Sequence, residues 1–345
     1  MNYKKFMSIG VIFFFMCFQS AFAQSSISNA KMVEQYKIWD KAKYNAFTDL
    51  IHFKGYWYCA FREGNSHVAR DGSDNGKLRV IRSKNGKKWK SAATMSWLNG
   101  DVRDAKLSIT AKGELMLNGA VSFYPLSIGE PQISVTWLSK NGTKWSNAYK
   151  CETGVSTWRW STTWHNGVGY SVGYGGKDAK GRLYHTLDGK KWEELKSDFF
   201  PNPNSRPSET SLLFTEDGTS YCLLRQDGGT CTAMLGISKP PYTDWDWKDL
   251  GIRIGGPKLI QLKDGQFVAT VRLFSGDPDK PIWETERTSF CILDIEKESL
   301  TEVLKLPSGG DCSYAGMIEK DGLIWISYYS SHEEKPSIYL AKIKI

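Results

Sequence analysis

Three arginines, Arg62, Arg225 and Arg272, each stand seven residues beyond a glycine that ends a short turn between two apolar runs. Those glycines are Gly55, Gly218 and Gly265; three more, Gly113, Gly167 and Gly322, lead by the same count to Ala120, Tyr174 and Tyr329. A guanidinium repeated at one geometric place makes a site, because its planar fork holds a carboxylate through two parallel hydrogen bonds. Arginines gathered in this way also repel one another, so the grouping predicts an anionic ligand that offsets the repulsion.

The element that must position them is a hairpin used six times. The six glycines are spaced 58, 54, 51, 47 and 57 residues apart, the period of a four-stranded propeller blade. Aromatic residues make up 13% of the chain, glycine occurs 32 times, and almost no run has helical periodicity. The chain therefore reads as all-β, a six-bladed β-propeller of four-stranded antiparallel blades occupying residues 27–345. Ile338 to Ile345 and Val33 to Ile38 both read as strands, and pairing them would close the ring and remove an open edge. A second signature, Ser83-Lys-Asn-Gly-Lys-Lys-Trp89, recurs as Ser139 to Trp145 and Thr186 to Trp192, with a remnant from Ser238 to Trp245. Its hydroxyl and Asx residues can bond the turn backbone, which makes it structural.

In each unit the first strand runs toward the glycine and the second returns. Residues about nine before the glycine and seven after it then share one mouth of the propeller. This pairs Asn45 and Thr48 with Arg62, Arg103 and Asp104 with Ala120, Arg159 with Tyr174, Glu209 with Arg225, Gly256 with Arg272, and Tyr314 with Tyr329. Arg62, Arg103, Arg159, Arg225 and Arg272 become candidates for binding an acidic ligand, with Asp104 beside them. His67, in the loop after the first hairpin, is a candidate general acid or base, since its ordinary pKa suits that work; a hydrogen-bonded structural histidine is the alternative. Trp158, Trp160, Trp164 and Trp283 are candidate sugar platforms, several of which must be core.

Lys4 and Lys5, the apolar stretch Ile9 to Phe18, and Ala21-Phe22-Ala23 read as a secretory signal peptide over residues 1–23, cut after Ala23. The expected location is outside the cell or in the periplasm, and no later run is long enough to cross a bilayer. The formal net charge of +8, two of which leave with the leader, is scattered in lysine-rich turns and serves solubility rather than nucleic-acid binding. The remaining cysteines, 59, 151, 222, 231, 291 and 312, have no metal-ligand spacing and read mainly as small buried side chains; only Cys222 with Cys231 could close a hairpin. The expectation is a monomer without metal or cofactor.

The units at 207–229, 256–272 and 312–329 resemble the sialidase, or neuraminidase, superfamily of six-bladed propellers. The turns ending in Trp89, Trp145 and Trp192 look like that family's Asp-boxes, or BNR repeats, one residue shorter than usual. The resemblance implies that Tyr314 is the nucleophile, Glu209 the glutamate that deprotonates it, and Arg225 and Arg272 two of the three arginines on the sialic acid carboxylate. A neutral phenol serves better than a carboxylate against an anomeric centre that itself bears a carboxylate. The family's acid/base aspartate falls in the loop after the first hairpin, where Asp71 is the first choice by spacing and Asp74 the second. The first blade departs from the pattern: Tyr44-Asn45-Ala46-Phe47 stands where the family carries Arg-Ile-Pro. Asn45 has no charge to offer, and Arg62 or Arg103 would have to substitute.

The resemblance thus implies an exported, sialidase-like glycoside hydrolase acting on an acidic sugar, whether sialic acid, a Kdo-like sugar or a uronic acid, within a glycan or oligosaccharide. Two other readings stay open. His67 or a tyrosine could serve a uronate-directed lyase or a rhamnosyl-glucuronate hydrolase of similar architecture. The absent first arginine also fits a propeller that binds carbohydrate without cleaving it.

Overall fold

A computed structural model describes residues 30–68, 72, 75–124, 132–154, 156–175, 178–274 and 284–345. The leader, Asp71, Asp74 and Trp283 lie outside the described residues.

All six turn glycines adopt φ between 70° and 91°. At five of them a Cβ would meet nothing within 4 Å, so the left-handed dihedral, not crowding, selects glycine. Three of the six are two-residue turns: Lys54-Gly55, Asn166-Gly167 and Asp321-Gly322 have positive φ at both positions, the twist that matches paired strands. The other three are longer. Gly113, Gly218 and Gly265 each donate back to the residue three before, Thr110, Thr215 and Leu262, a turn followed by a left-handed glycine.

Each hairpin forms the inner half of a four-stranded antiparallel sheet. The inner strands are Tyr44–Phe53, Asp101–Ile109, Trp158–His165, Pro207–Phe214, Gly255–Gln261 and Cys312–Lys320, and each sheet continues outward through three more strands. Every inner strand touches those of both neighbouring blades, closing a ring. Lys31–Trp39 supplies the outermost strand of the sixth blade, beside Ser337–Lys344, so the two ends of the chain pair as the apolar patterns predict. The fold is an all-β propeller of six blades.

Between the sixth and first blades the packing reaches backbone contact. A Cβ on Gly316 would lie 2.0 Å from the Leu50 amide nitrogen, so no side chain fits there. The tryptophan-ended turns lock other blades: the Ser83 hydroxyl accepts from Gly86 N at 2.9 Å, Asn85 Oδ1 accepts from Lys87 N, and Trp89 Nε1 donates to Gly86 O. Cβ atoms on Gly86, Gly142 and Gly189 would run into Trp325, Tyr58 and Met116 of the preceding blade, so these turns act as inter-blade spacers.

All six inner strands carry a register shift against the second strand at the same height. It falls at Phe47-Thr48, Asp104-Ala105, Trp160-Ser161, Ser208-Glu209, Gly256-Pro257 and Tyr314-Ala315. A bulge inserts one extra residue and re-aims a side chain, and Phe47, Asp104, Gly256 and Tyr314 take positive φ there. Cys222 and Cys231 are both free thiols, so the hairpin disulfide considered from the sequence is not formed. Among the described residues no helix is long and apolar enough to cross a membrane.

Candidate active site

The ring of bulges builds the floor of one mouth. Tyr314 donates its hydroxyl to Glu209 Oε1 at 2.5 Å, and Arg225 Nη1 reaches both carboxylate oxygens and the Tyr314 oxygen at 2.9 Å. Gly256 N donates to Glu209 Oε2 at 2.8 Å. Burial alone would raise the Glu209 carboxyl, but Arg225, the Tyr314 hydroxyl and the Gly256 amide outweigh it and hold its pKa below the ordinary value. Burial, and then the Glu209 carboxylate, pushes the Tyr314 phenol well up. The pair therefore rests as neutral phenol and ionised carboxylate, an arrangement able to pass the phenolic proton to Glu209.

Arg272 lies beside this pair, 5.1 Å from the Tyr314 ring. It donates to Cys312 O, to Asp311 Oδ1 at 2.8 Å and to the Tyr329 oxygen at 3.0 Å, with Glu286 3.4 Å away. Tyr314, Glu209, Arg225, Gly256, Arg272 and Tyr329 thus converge, as the pairing of repeat positions predicts.

The first two blades differ from the prediction. Asn45 is fully buried and bonds Ala42 O and Pro336 O; the bulge aims Phe47 inward instead, edge-on to Tyr314 at 5.1 Å and Tyr329 at 5.3 Å. Thr48 supports the floor by donating to Tyr314 O. Arg62 is wholly enclosed, with Nε on Asp101 Oδ1 at 2.8 Å and Nη1 on Ser66 O. Arg103 bonds the other Asp101 oxygen and His67 O, and lies over the Phe47 ring. Both arginines therefore brace the loop that carries His67 rather than opening toward a ligand. Arg159 turns into its own blade, onto Thr153 and over the Tyr184 and Trp192 rings, and is no part of the cluster.

The repulsion among the crowded arginines is already offset within the protein. Arg62 and Arg103 share Asp101; Arg225 has Glu209 and Asp227; Arg272 has Asp311 and Glu286. Each positive charge already has a carboxylate. Asp104, buried on its bulge, has its pKa pushed up to about 6 by burial, against the pull of Arg103 and Lys106. Trp160 is core, while half-buried Trp158 stacks on Tyr174 at 6.3 Å. Among the described residues no group of His, Cys, Asp and Glu is arranged to hold a metal ion.

Three residues of the mouth escaped the sequence reading: Phe47, Asp101 and Asp311. Phe47 is turned inward by a bulge that its residue type does not mark. Asp101 and Asp311 stand at strand starts, just before Arg103 and Tyr314, where no repeat signal marks them.

No family model and no curated protein matches the sequence. Solved structures do match in shape. A protein of unknown function from Dyadobacter fermentans superposes with a TM-score of 0.76 at 18% identity, covering 92% of this chain and 99% of that one. Trypanosoma rangeli sialidase in complex with sialic acid gives 0.64 at 12% identity over 91% of this chain, which spans 59% of the sialidase. Penicillium chrysogenum α-L-arabinanase complexed with arabinobiose gives 0.60 at 13%, covering 90% and 98%. At these identities the likeness is one of fold.

Proposed function

We propose that this chain is an exported glycoside hydrolase, cleaving an acidic sugar from a glycan with Tyr314 as nucleophile. The observation that carries the reading is the Tyr314 hydroxyl lying 2.5 Å from an ionised Glu209 under the Arg225 guanidinium. Glu209 takes the phenolic proton while the Tyr314 oxygen bonds to the anomeric carbon and the leaving sugar departs. Arg225, which touches both partners, offsets the negative charge as it moves from Glu209 to the Tyr314 oxygen. The outer edges of Arg225 and Arg272 would take the sugar carboxylate, with Asp104 and the stacked Trp158 and Tyr174 along the wall. The propeller neighbours in complex with sialic acid and with arabinobiose support a sugar as the ligand. The short tryptophan-ended turns support kinship with the Asp-box propellers.

The test is a screen for released reducing sugars and unsaturated products on sialylated, Kdo-containing and uronate-rich glycans, with the wild type and Tyr314→Phe. The variant should lose at least ~10³-fold in kcat while its Kd for the glycan is kept. Full turnover by Tyr314→Phe would reject the tyrosine nucleophile, and a product absorbing in the ultraviolet would move the assignment to a lyase.

A further inference from the structure

A second hydrogen-bonded cluster sits across the Phe47 ring from Tyr314. The His67 ring is edge-on to Phe47 at 5.1 Å, as Tyr314 is from its own side. His67 Nδ1 lies 2.7 Å from Asp311 Oδ2 and 2.8 Å from the Tyr44 hydroxyl, which itself bonds the same carboxylate oxygen. The other oxygen, Asp311 Oδ1, accepts from Tyr329 at 2.5 Å and from Arg272 at 2.8 Å. Arg103 holds the His67 carbonyl and Arg62 that of Ser66. The ring is thus fixed through its Nδ1 edge and its backbone, while half of its surface stays open to solvent.

We propose that Asp311 and His67 form a proton-transfer dyad, with His67 Nε2 as the acid/base group of this site and Asp311 and Tyr44 as its positioning residues. The proposal rests on the glycosidase reading above. A carboxylate on Nδ1 selects the tautomer in which Nε2 is bare, and it supports the positive charge when Nε2 gains a proton. The first step starts from the doubly protonated ring: the Nε2 proton passes to the glycosidic oxygen as the C–O bond breaks, Tyr314 Oη bonds to the anomeric carbon and its proton goes to Glu209. In the second step water gives its proton to Nε2 and its oxygen to the anomeric carbon, the bond to Tyr314 breaks, and Glu209 returns the phenolic proton. Every proton returns to its starting group.

The charges around the dyad favour the neutral ring that the second step uses, so the doubly protonated ring of the first step forms at acid pH. His67 faces Arg62, Arg103, Arg272 and Glu209 besides Tyr44 and Asp311; the surrounding protein, and then the three arginines, hold its pKa down. Burial lifts the Asp311 carboxyl to about 6, against its hydrogen bond from Tyr329. The two groups sit close enough to titrate as a pair.

Two measurements test the dyad. The first compares wild type, His67→Ala, Asp311→Asn and Tyr44→Phe on alkyl and 4-nitrophenyl glycosides of sialic, Kdo and glucuronic acids. His67→Ala should fall about 100-fold or more on the alkyl glycosides and far less on the nitrophenyl ones, whose leaving group needs no proton. Asp311→Asn should move a limb of the pH–rate profile, and Tyr44→Phe should move the same limb less, because Asp311 still holds Nδ1. Equal losses on both leaving groups would overturn the assignment. The second needs no turnover: ¹⁵N NMR of the five histidines, with His67 assigned by its loss in His67→Ala. At pH 8 His67 should carry its proton on Nδ1, shifting to Nε2 in Asp311→Asn; an Nε2-protonated wild type would overturn the dyad. A wild type inactive on every acidic glycoside would instead overturn the glycosidase reading, and with it the step assigned to His67.

Discussion

Gly256 stands directly against the Tyr314 ring: a Cβ built on it would lie 2.8 Å from Tyr314 Cδ2 and 2.9 Å from Cγ. The same residue has φ +54° and gives its amide to Glu209. One glycine therefore does three things, clearing space for the phenol, taking the left-handed bulge, and bonding the carboxylate beside it.

Gly256→Ala should disturb the site more than the fold. The left-handed backbone costs a non-glycine residue roughly 1–2 kcal/mol, and the Tyr314 ring has little room to retreat, with Phe47 at 5.1 Å, Trp160 at 5.8 Å and Tyr329 at 5.9 Å. A displacement near 1 Å is enough to lower kcat by about 10²-fold. Paired urea melts and kcat measurements check this; a wild-type kcat in the variant would show that Gly256 does not position Tyr314.

Much of this site was readable from the repeat, and the reason is geometric. Tyr314, Glu209, Arg225, Gly256 and Arg272 sit at fixed counts from their turn glycines, so antiparallel pairing alone brings them to one mouth. The first blade failed because its bulge shifts the inward position from Asn45 to Phe47. Residue type carries no mark of a positive φ on a phenylalanine. Arg62 and Arg103 failed differently: their spacing is right, but a guanidinium that meets a buried Asp101 looks in sequence like one that meets a ligand. Asp101 and Asp311 enter from the joints between blades, where spacing varies.

Asp101 should matter to stability far beyond one side chain. It is fully buried and bonds Arg62 and Arg103, themselves almost wholly enclosed, as well as the Gly76 amide. Asp101→Ala would leave two guanidinium groups without this carboxylate inside the protein, a loss of about 3–5 kcal/mol by analogy with broken buried pairs. Chemical denaturation checks it, and a change under about 1 kcal/mol would mean that water or another group compensates. Because Arg62 and Arg103 also hold Ser66 O and His67 O, the same variant should lose activity in step with the order of that loop.

Asp104 makes a prediction about pH in which the sign is the test. Its folded pKa, about 6, stands above the ordinary carboxyl value because burial disfavours the charged form more than Arg103 and Lys106 favour it. The folded protein then holds the proton where the unfolded chain has released it. This contribution is fully present below the unfolded pKa of about 4 and is lost as pH rises through about 6. Above that, the ionised carboxylate costs the fold on the order of 3 kcal/mol. Asp104→Asn removes the titration, so the variant should gain in stability relative to wild type between pH 4 and pH 8, with the difference levelling above pH 7. Asp311, also raised to about 6 by burial, is present in both proteins and cancels from the comparison. Thermal melts of the two proteins across this range decide the matter: a difference that does not change with pH would show that Asp104 is ionised throughout, and that its neighbours rather than its burial set its charge.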